Sequence, residues 1–175
     1  ISEADIISIG NGNANFGVFM MDAIMMGGIG FGGGSAENYR WLSLERAIQS
    51  CDINTQIAIK EITETLYNEV MAVLGDSEMF ECIYNALSYA VVSYLVNYTA
   101  TVDRIMELNP DAEVILMGLM NTLDGMMIDA YGQVLPAGDL MYSALSALNT
   151  YAAAYPTIKQ LMGDEAYSQG KFYYA

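Results

Sequence analysis

The sequence contains no histidine in its 175 residues. That absence removes the side chain most often used as a general base near neutral pH, and the commonest nitrogen ligand for transition metals. Positive charge is almost as scarce: six Lys and Arg stand against 21 Asp and Glu, a formal net charge of −15 at pH 7. Neutralising a phosphate backbone takes clustered basic side chains, so nucleic acid is excluded as a partner, and anionic membrane surfaces repel the chain. No apolar run reaches the roughly 18 residues expected of a membrane-spanning helix. The nearest, Ala86 to Val96, is interrupted by Ser88, Tyr89, Ser93 and Tyr94 and reads as a buried core helix. Two cysteines, Cys51 and Cys82, are too few for a disulfide framework. They either pair in an exported protein or stay as two buried thiols. Acidity, abundant Tyr and Asn, and the shortage of Lys lean toward an extracellular bacterial protein.

What is present is enough for one domain over residues 1–175, with 54% hydrophobic residues to build its core. Ile1 stands just ahead of a strand, and Lys171 to Ala175 read as another strand barely begun. The chain is therefore expected to be a stretch of a longer protein, cut at both ends.

Two segments read as short buried strands that spill into asparagine. The first runs from Ile6 through Ile9 into Gly10-Asn11-Gly12-Asn13-Ala14-Asn15. The second, Val114-Ile115-Leu116-Met117-Gly118-Leu119, is a continuous apolar run ending at Asn121. Continuous apolar strands are the mark of parallel sheets buried on both faces. In open α/β sheets ligands bind at the carboxyl ends of such strands, which is where these asparagines lie.

Between the strands the pattern is helical. Asn15 to Met26 is apolar and Met-rich, and six glycines in the eight residues 27–34 end it. That glycine run reads as a surface connection or as a mobile lip beside the site. Ser43 is placed to cap a helix starting at Leu44. A second helix spans Ile53 to Leu74, with Ile59, Ile62, Leu66, Val70 and Val73 on its apolar face, and Gly75-Asp76-Ser77 supplies a turn. A third carries Leu87, Val91, Tyr94 or Leu95, Tyr98, Val102 and Ile105 at helical spacing and stops at Asn109-Pro110. Leu123 to Pro136 reads as loop, and Gly138 to Tyr155 as a last helix that Pro156 ends or bends. The order strand, helices, strand, helix, strand predicts an α/β fold.

The stretch from Arg104 to Asn121 resembles the SGNH (GDSL-like) hydrolase family, in which a helix ends in Asn-Pro-x-Ala and a strand closes on Gly-x-x-Asn. Ala4 to Gly10 is similar to the strand that leads into the family's Gly-x-Asn-Asp block. Asn149 sits on a late helix of matching type, and Phe172 to Ala175 resemble the strand after it. The resemblance implies a three-layer α/β sandwich with a parallel, flavodoxin-like sheet, carrying residues 27–81 as a helical insertion. It also implies a serine esterase or lipase-type hydrolase acting on carboxylic esters of a small molecule, lipid or acylated carbohydrate.

The departures from the family are specific. Its nucleophilic Gly-Asp-Ser lies near the N-terminus of its domain, whereas Gly75-Asp76-Ser77 falls between two helices, and nothing here matches its Asp-x-x-His. This stretch alone is expected to be inactive. What it can supply is the oxyanion donor: Asn13, or Asn15 in the other register, with Gly10 and Gly12 shaping the loop and Asn11 and Asn121 facing substrate. The competing reading has the same asparagines and glycines stabilising their own turn. A non-catalytic binding or structural module of a bacterial surface protein is the alternative for the whole chain.

No cofactor is expected. Gly10-x-Gly12 lacks the third glycine of a dinucleotide fingerprint, because that position is Asn15. Asp124, Asp129 and Asp139 lack the spacing of a calcium loop and read as solvated surface. The methionine pairs at 20–21, 25–26 and 126–127 read as gap-filling core residues.

Overall fold

The computed structural model of the chain describes residues 6–9, 44–121, 124–130 and 133–175. After strand β1 (Ile6–Ile9) the next described element is helix α1, residues 44–50. Helices α2 (Ile53–Leu74) and α3 (Glu78–Leu108) follow, then strand β2 (Glu113–Leu116). A hairpin of β3 (Met127–Ala130) and β4 (Gln133–Pro136) leads to α4 (Tyr142–Leu161), a 3-10 turn (Glu165–Tyr167) and β5 (Lys171–Tyr174).

The predicted three-layer flavodoxin-like sandwich is not what these residues form. The molecule is mostly helical: α2, α3 and α4 run for 22, 31 and 20 residues, while every described strand has four. The described parallel sheet has the order β1-β2-β5. Helices pack chiefly on helices and strands on strands. Val114 and Leu116 on one face of β2 are buried, while Glu113 and Ile115 on the other are half-buried. The apolar run read as a doubly buried strand ends as a strand at Leu116, and Met117 beyond it is exposed.

The helix boundaries follow local chemistry. The Asp52 carboxylate accepts hydrogen bonds from the Asn54 and Thr55 amides at 2.9 and 3.1 Å, satisfying two of the orphan donors at the start of α2. Gly75, with φ of 59°, ends that helix in a conformation that a β-carbon disfavours. Ile59, Ile62, Leu66 and Val70 are buried as their spacing predicts. Helix α3 is central, burying Leu87, Val91, Leu95, Val102 and Met106 and packing against both other long helices. The α2 helix, within residues 27–81, packs on α3 and α4.

Two local expectations are corrected. The loop expected over 123–136 contains an antiparallel hairpin pairing Met127 with Pro136 and Asp129 with Val134. Helix α4 passes through Pro156 rather than ending there. A proline has no N–H for the carbonyl four residues earlier, here Ala152. The buried Tyr98 hydroxyl donates to that carbonyl at 2.7 Å, replacing the missing donor from another helix.

Candidate functional site

The three parallel strands end level with one another: Ile9 pairs with Leu116, and Leu116 with Tyr174. The chain segments that leave β1 and β2 therefore start from the same edge of the sheet. The one leaving β1 carries Gly10, Asn11, Gly12, Asn13 and Asn15, which lie outside the described residues, as do the helix expected over 15–26, the 27–34 glycine run and the Ser43 cap.

The segment leaving β2 is held at three points. Gly118 N–H donates to the Ala175 carbonyl at 2.9 Å, extending the β2–β5 pairing past the strand ends. The Asn149 carboxamide, projecting from α4, brackets Leu119: its oxygen accepts from the Leu119 N–H and its nitrogen donates to the Leu119 carbonyl, both at 2.8 Å. A carboxamide carries the same donor and acceptor as a peptide, so Asn149 stands in for a neighbouring strand. Asn121, expected to face substrate, is half-buried and donates from Nδ2 to the Gly138 carbonyl at 3.0 Å, tying the loop to the end of the hairpin.

Over this loop lies Tyr174. A β-carbon placed on Gly118 would sit 2.6 Å from the Tyr174 hydroxyl oxygen, so with glycine there the hydroxyl keeps this position and with a larger residue it would have to move. The side chain is 43% exposed, and partial burial raises its pKa, keeping the hydroxyl protonated and able to donate.

Gly75-Asp76-Ser77 forms the α2–α3 turn, with Ser77 as the residue preceding α3. The Ser77 hydroxyl oxygen is buried without a hydrogen-bond partner among the described residues, so no described base contacts it. Among the described residues no three Cys, Asp or Glu side chains cluster to hold a metal. Cys51 is a free, half-buried thiol whose pKa is raised by burial, the reverse of an activated nucleophile.

A second polar constellation escaped the sequence reading. Asp103 on α3 accepts from the Tyr155 hydroxyl at 2.8 Å and from the Tyr167 hydroxyl, and lies 3.5 Å from the Lys159 ammonium, which also pairs with Asp164 at 2.9 Å. Burial first, then the Asp103 carboxylate, pushes both tyrosine pKa values far up. Nearby, the Thr55 hydroxyl bridges Asp52 and Tyr151 at 2.8 Å each. Burial pushes the Tyr151 pKa up to about 12. Tyr155 and Tyr167 serve as fixed donors, joining α3, α4 and the 3-10 turn. The signal in the sequence was Tyr151, Tyr155 and Lys159 at intervals of one helical turn on α4.

No family model, curated protein or solved structure matches this chain. Among the described residues no helix is long and apolar enough to cross a membrane.

Proposed function

We propose that the carboxyl edge of the parallel strands binds a small carbonyl-bearing ligand, with an ester as the expected class, and forms one wall of a hydrolase site. The observation that carries this is the register that pairs Ile9 with Leu116, which starts the asparagine-rich segment and the Gly118–Asn121 segment from one edge. In open α/β sheets ligands bind outside the carboxyl ends of parallel strands, the end from which both segments leave here. On this reading Asn13 or Asn15 supplies a carboxamide donor to the developing oxyanion, Gly10 and Gly12 let the backbone approach, and Asn11 lies against the substrate. Asn121 serves by bracing the loop, since its amide is committed to Gly138. The chain has no histidine, so a histidine base of the serine-hydrolase kind would have to come from outside these residues. An extracellular or cell-surface setting fits the acidic composition.

The test is turnover of p-nitrophenyl butyrate by the full-length protein, with and without a serine-directed inhibitor. Inhibitor-sensitive turnover that falls about 100-fold or more in Asn13→Ala or Asn15→Ala is the expected result. Inhibitor-sensitive turnover unchanged in both variants would remove the oxyanion role. A second reading, a non-catalytic binding or structural module, is favoured by the missing histidine and by the commitment of Asn121 and Asn149 to main-chain groups. Complete absence of turnover would leave that one standing.

A further inference from the structure

We infer that the Tyr174 hydroxyl is a hydrogen-bond donor to the ligand's carbonyl oxygen at the carboxyl edge of the sheet, and that Gly118 is there to make room for it. The inference rests on the site reading above but uses different residues. Three observations converge. Tyr174 is the last residue of β5 and pairs with Leu116, the last residue of β2, so its side chain stands where both strands end. Its hydroxyl oxygen would lie 2.6 Å from a β-carbon on Gly118, so any larger residue there would push the hydroxyl aside. Third, the ring is 43% exposed and its hydroxyl makes no hydrogen bond with any described residue, whereas those of Tyr98, Tyr151, Tyr155 and Tyr167 are all engaged.

A protonated phenol with no partner among the described residues, held over a fixed turn, is a preorganised donor. It strengthens a bond to an oxygen that gains negative charge without reorganising first. The neighbouring backbone is pinned by Asn149 and Ala175, so the hydroxyl does not have to recruit its own support.

The experiment uses the full-length protein and two variants that remove the donor by different means. Tyr174→Phe deletes the hydroxyl. Gly118→Ala keeps it but forces it away, and Gly118 does not have the positive φ that would make alanine strained. In p-nitrophenyl butyrate turnover both are expected to lower kcat about 10- to 100-fold with KM changed less than about threefold, and the double variant to be no worse than either. Binding is read separately from the carbonyl ¹³C shift of p-nitrobutyranilide labelled at that carbon. Hydrogen bonding moves it downfield in the parent protein, and both variants should lose the movement.

Turnover that depends on Asn13 or Asn15 but is indifferent to Tyr174→Phe and Gly118→Ala overturns the inference and leaves the proposed site intact. A carbonyl shift lost in both variants without any turnover keeps the donor and removes the hydrolase. Lower thermal stability in Tyr174→Phe, with kcat and the carbonyl shift unchanged, would make Tyr174 a packing residue and also overturn the inference.

Discussion

Removing the Tyr98 hydroxyl should cost stability chiefly because of a proline on another helix. Pro156 sits inside α4 and cannot donate to the Ala152 carbonyl, and the Tyr98 hydroxyl does so instead at 2.7 Å. Both Tyr98 and Ala152 are buried, at 4% and 1% exposure, so a carbonyl left alone there has no ready access to solvent. A typical hydrogen bond contributes a net ~1 kcal/mol, and a buried group left unsatisfied costs ~1–3 kcal/mol. Tyr98→Phe should therefore destabilise the protein by about 2 kcal/mol. In a Pro156→Ala background the backbone N–H restored at position 156 can reach the Ala152 carbonyl along the helix, and the same Tyr98→Phe change should cost only ~0.5 kcal/mol. The coupling of about 1.5 kcal/mol amounts to roughly a tenfold difference in the folding equilibrium. Urea unfolding of the parent, both single variants and the double variant measures it, provided the m value is constant across the four. Equal costs of Tyr98→Phe in the two backgrounds would refute the exchange of donors between helices.

Three further outcomes are expected. Asn149→Ala strands both main-chain groups of Leu119 and should cost about 2–3 kcal/mol, while Asn149→Asp keeps the acceptor for the Leu119 N–H and loses less; chemical denaturation ranks the two. Tyr155→Phe and Tyr167→Phe should each cost about 1–2 kcal/mol and Asp103→Ala about 3 kcal/mol, with strongly non-additive doubles because one oxygen of Asp103 serves both hydroxyls; additive doubles would dissolve the network. The protein should unfold steeply above pH 10. Tyr94, Tyr98, Tyr155 and Tyr167 are buried with raised pKa values, Tyr94 at about 12, so the unfolded chain loses those protons first and folding is penalised as pH rises. Each such tyrosine removes about 1.4 kcal/mol per pH unit until its folded pKa is passed, and a flat stability profile from about pH 9 to about pH 12 would contradict their burial.

The long helices were legible because their information is local. The Ile53 and Leu74 limits of α2, the Asn109-Pro110 stop of α3 and the apolar stripes of both follow from caps, glycine, proline and three-and-four spacing. The sheet was half legible. β1 and β2 lie where the apolar runs put them, but an apolar hexamer does not say whether helices will cover it on one face or two. Here the long helices contact one another, Val114 and Leu116 of β2 join the same core, and Glu113 and Ile115 are only half-buried. The extent of α4 was hidden for a different reason: Pro156 is a stop signal by every local rule, and Tyr98 that overrides it comes from α3. The hairpin was missed because Met-Ile-Asp-Ala and Gln-Val-Leu-Pro are too short and mixed for an alternation to register. Asn121 lies on the segment after β2, and its hydrogen bond to the Gly138 carbonyl, 17 residues on, is a non-local contact that local pattern does not carry. The steric pairing of Gly118 with Tyr174 joins the segment after β2 to the end of β5 and leaves no trace in either local sequence.

On the proposed reading, the way the loop after β2 is built separates residues that brace the loop from the hydroxyl that would meet a ligand. Asn149, Asn121 and the Ala175 carbonyl are each committed to fixed partners around Gly118 to Asn121. Changing either asparagine should therefore lower stability first and turnover as a consequence. Tyr174 has the opposite character, because its hydroxyl makes no hydrogen bond with a described residue and its loss strands no described group. A plot of unfolding midpoint against kcat across Asn149→Ala, Asn121→Ala, Gly118→Ala and Tyr174→Phe should then fall on two lines. The asparagine variants would lose both quantities together. Tyr174→Phe would lose kcat at a nearly constant midpoint. A single line through all four would mean that the loop, and not the hydroxyl above it, sets turnover.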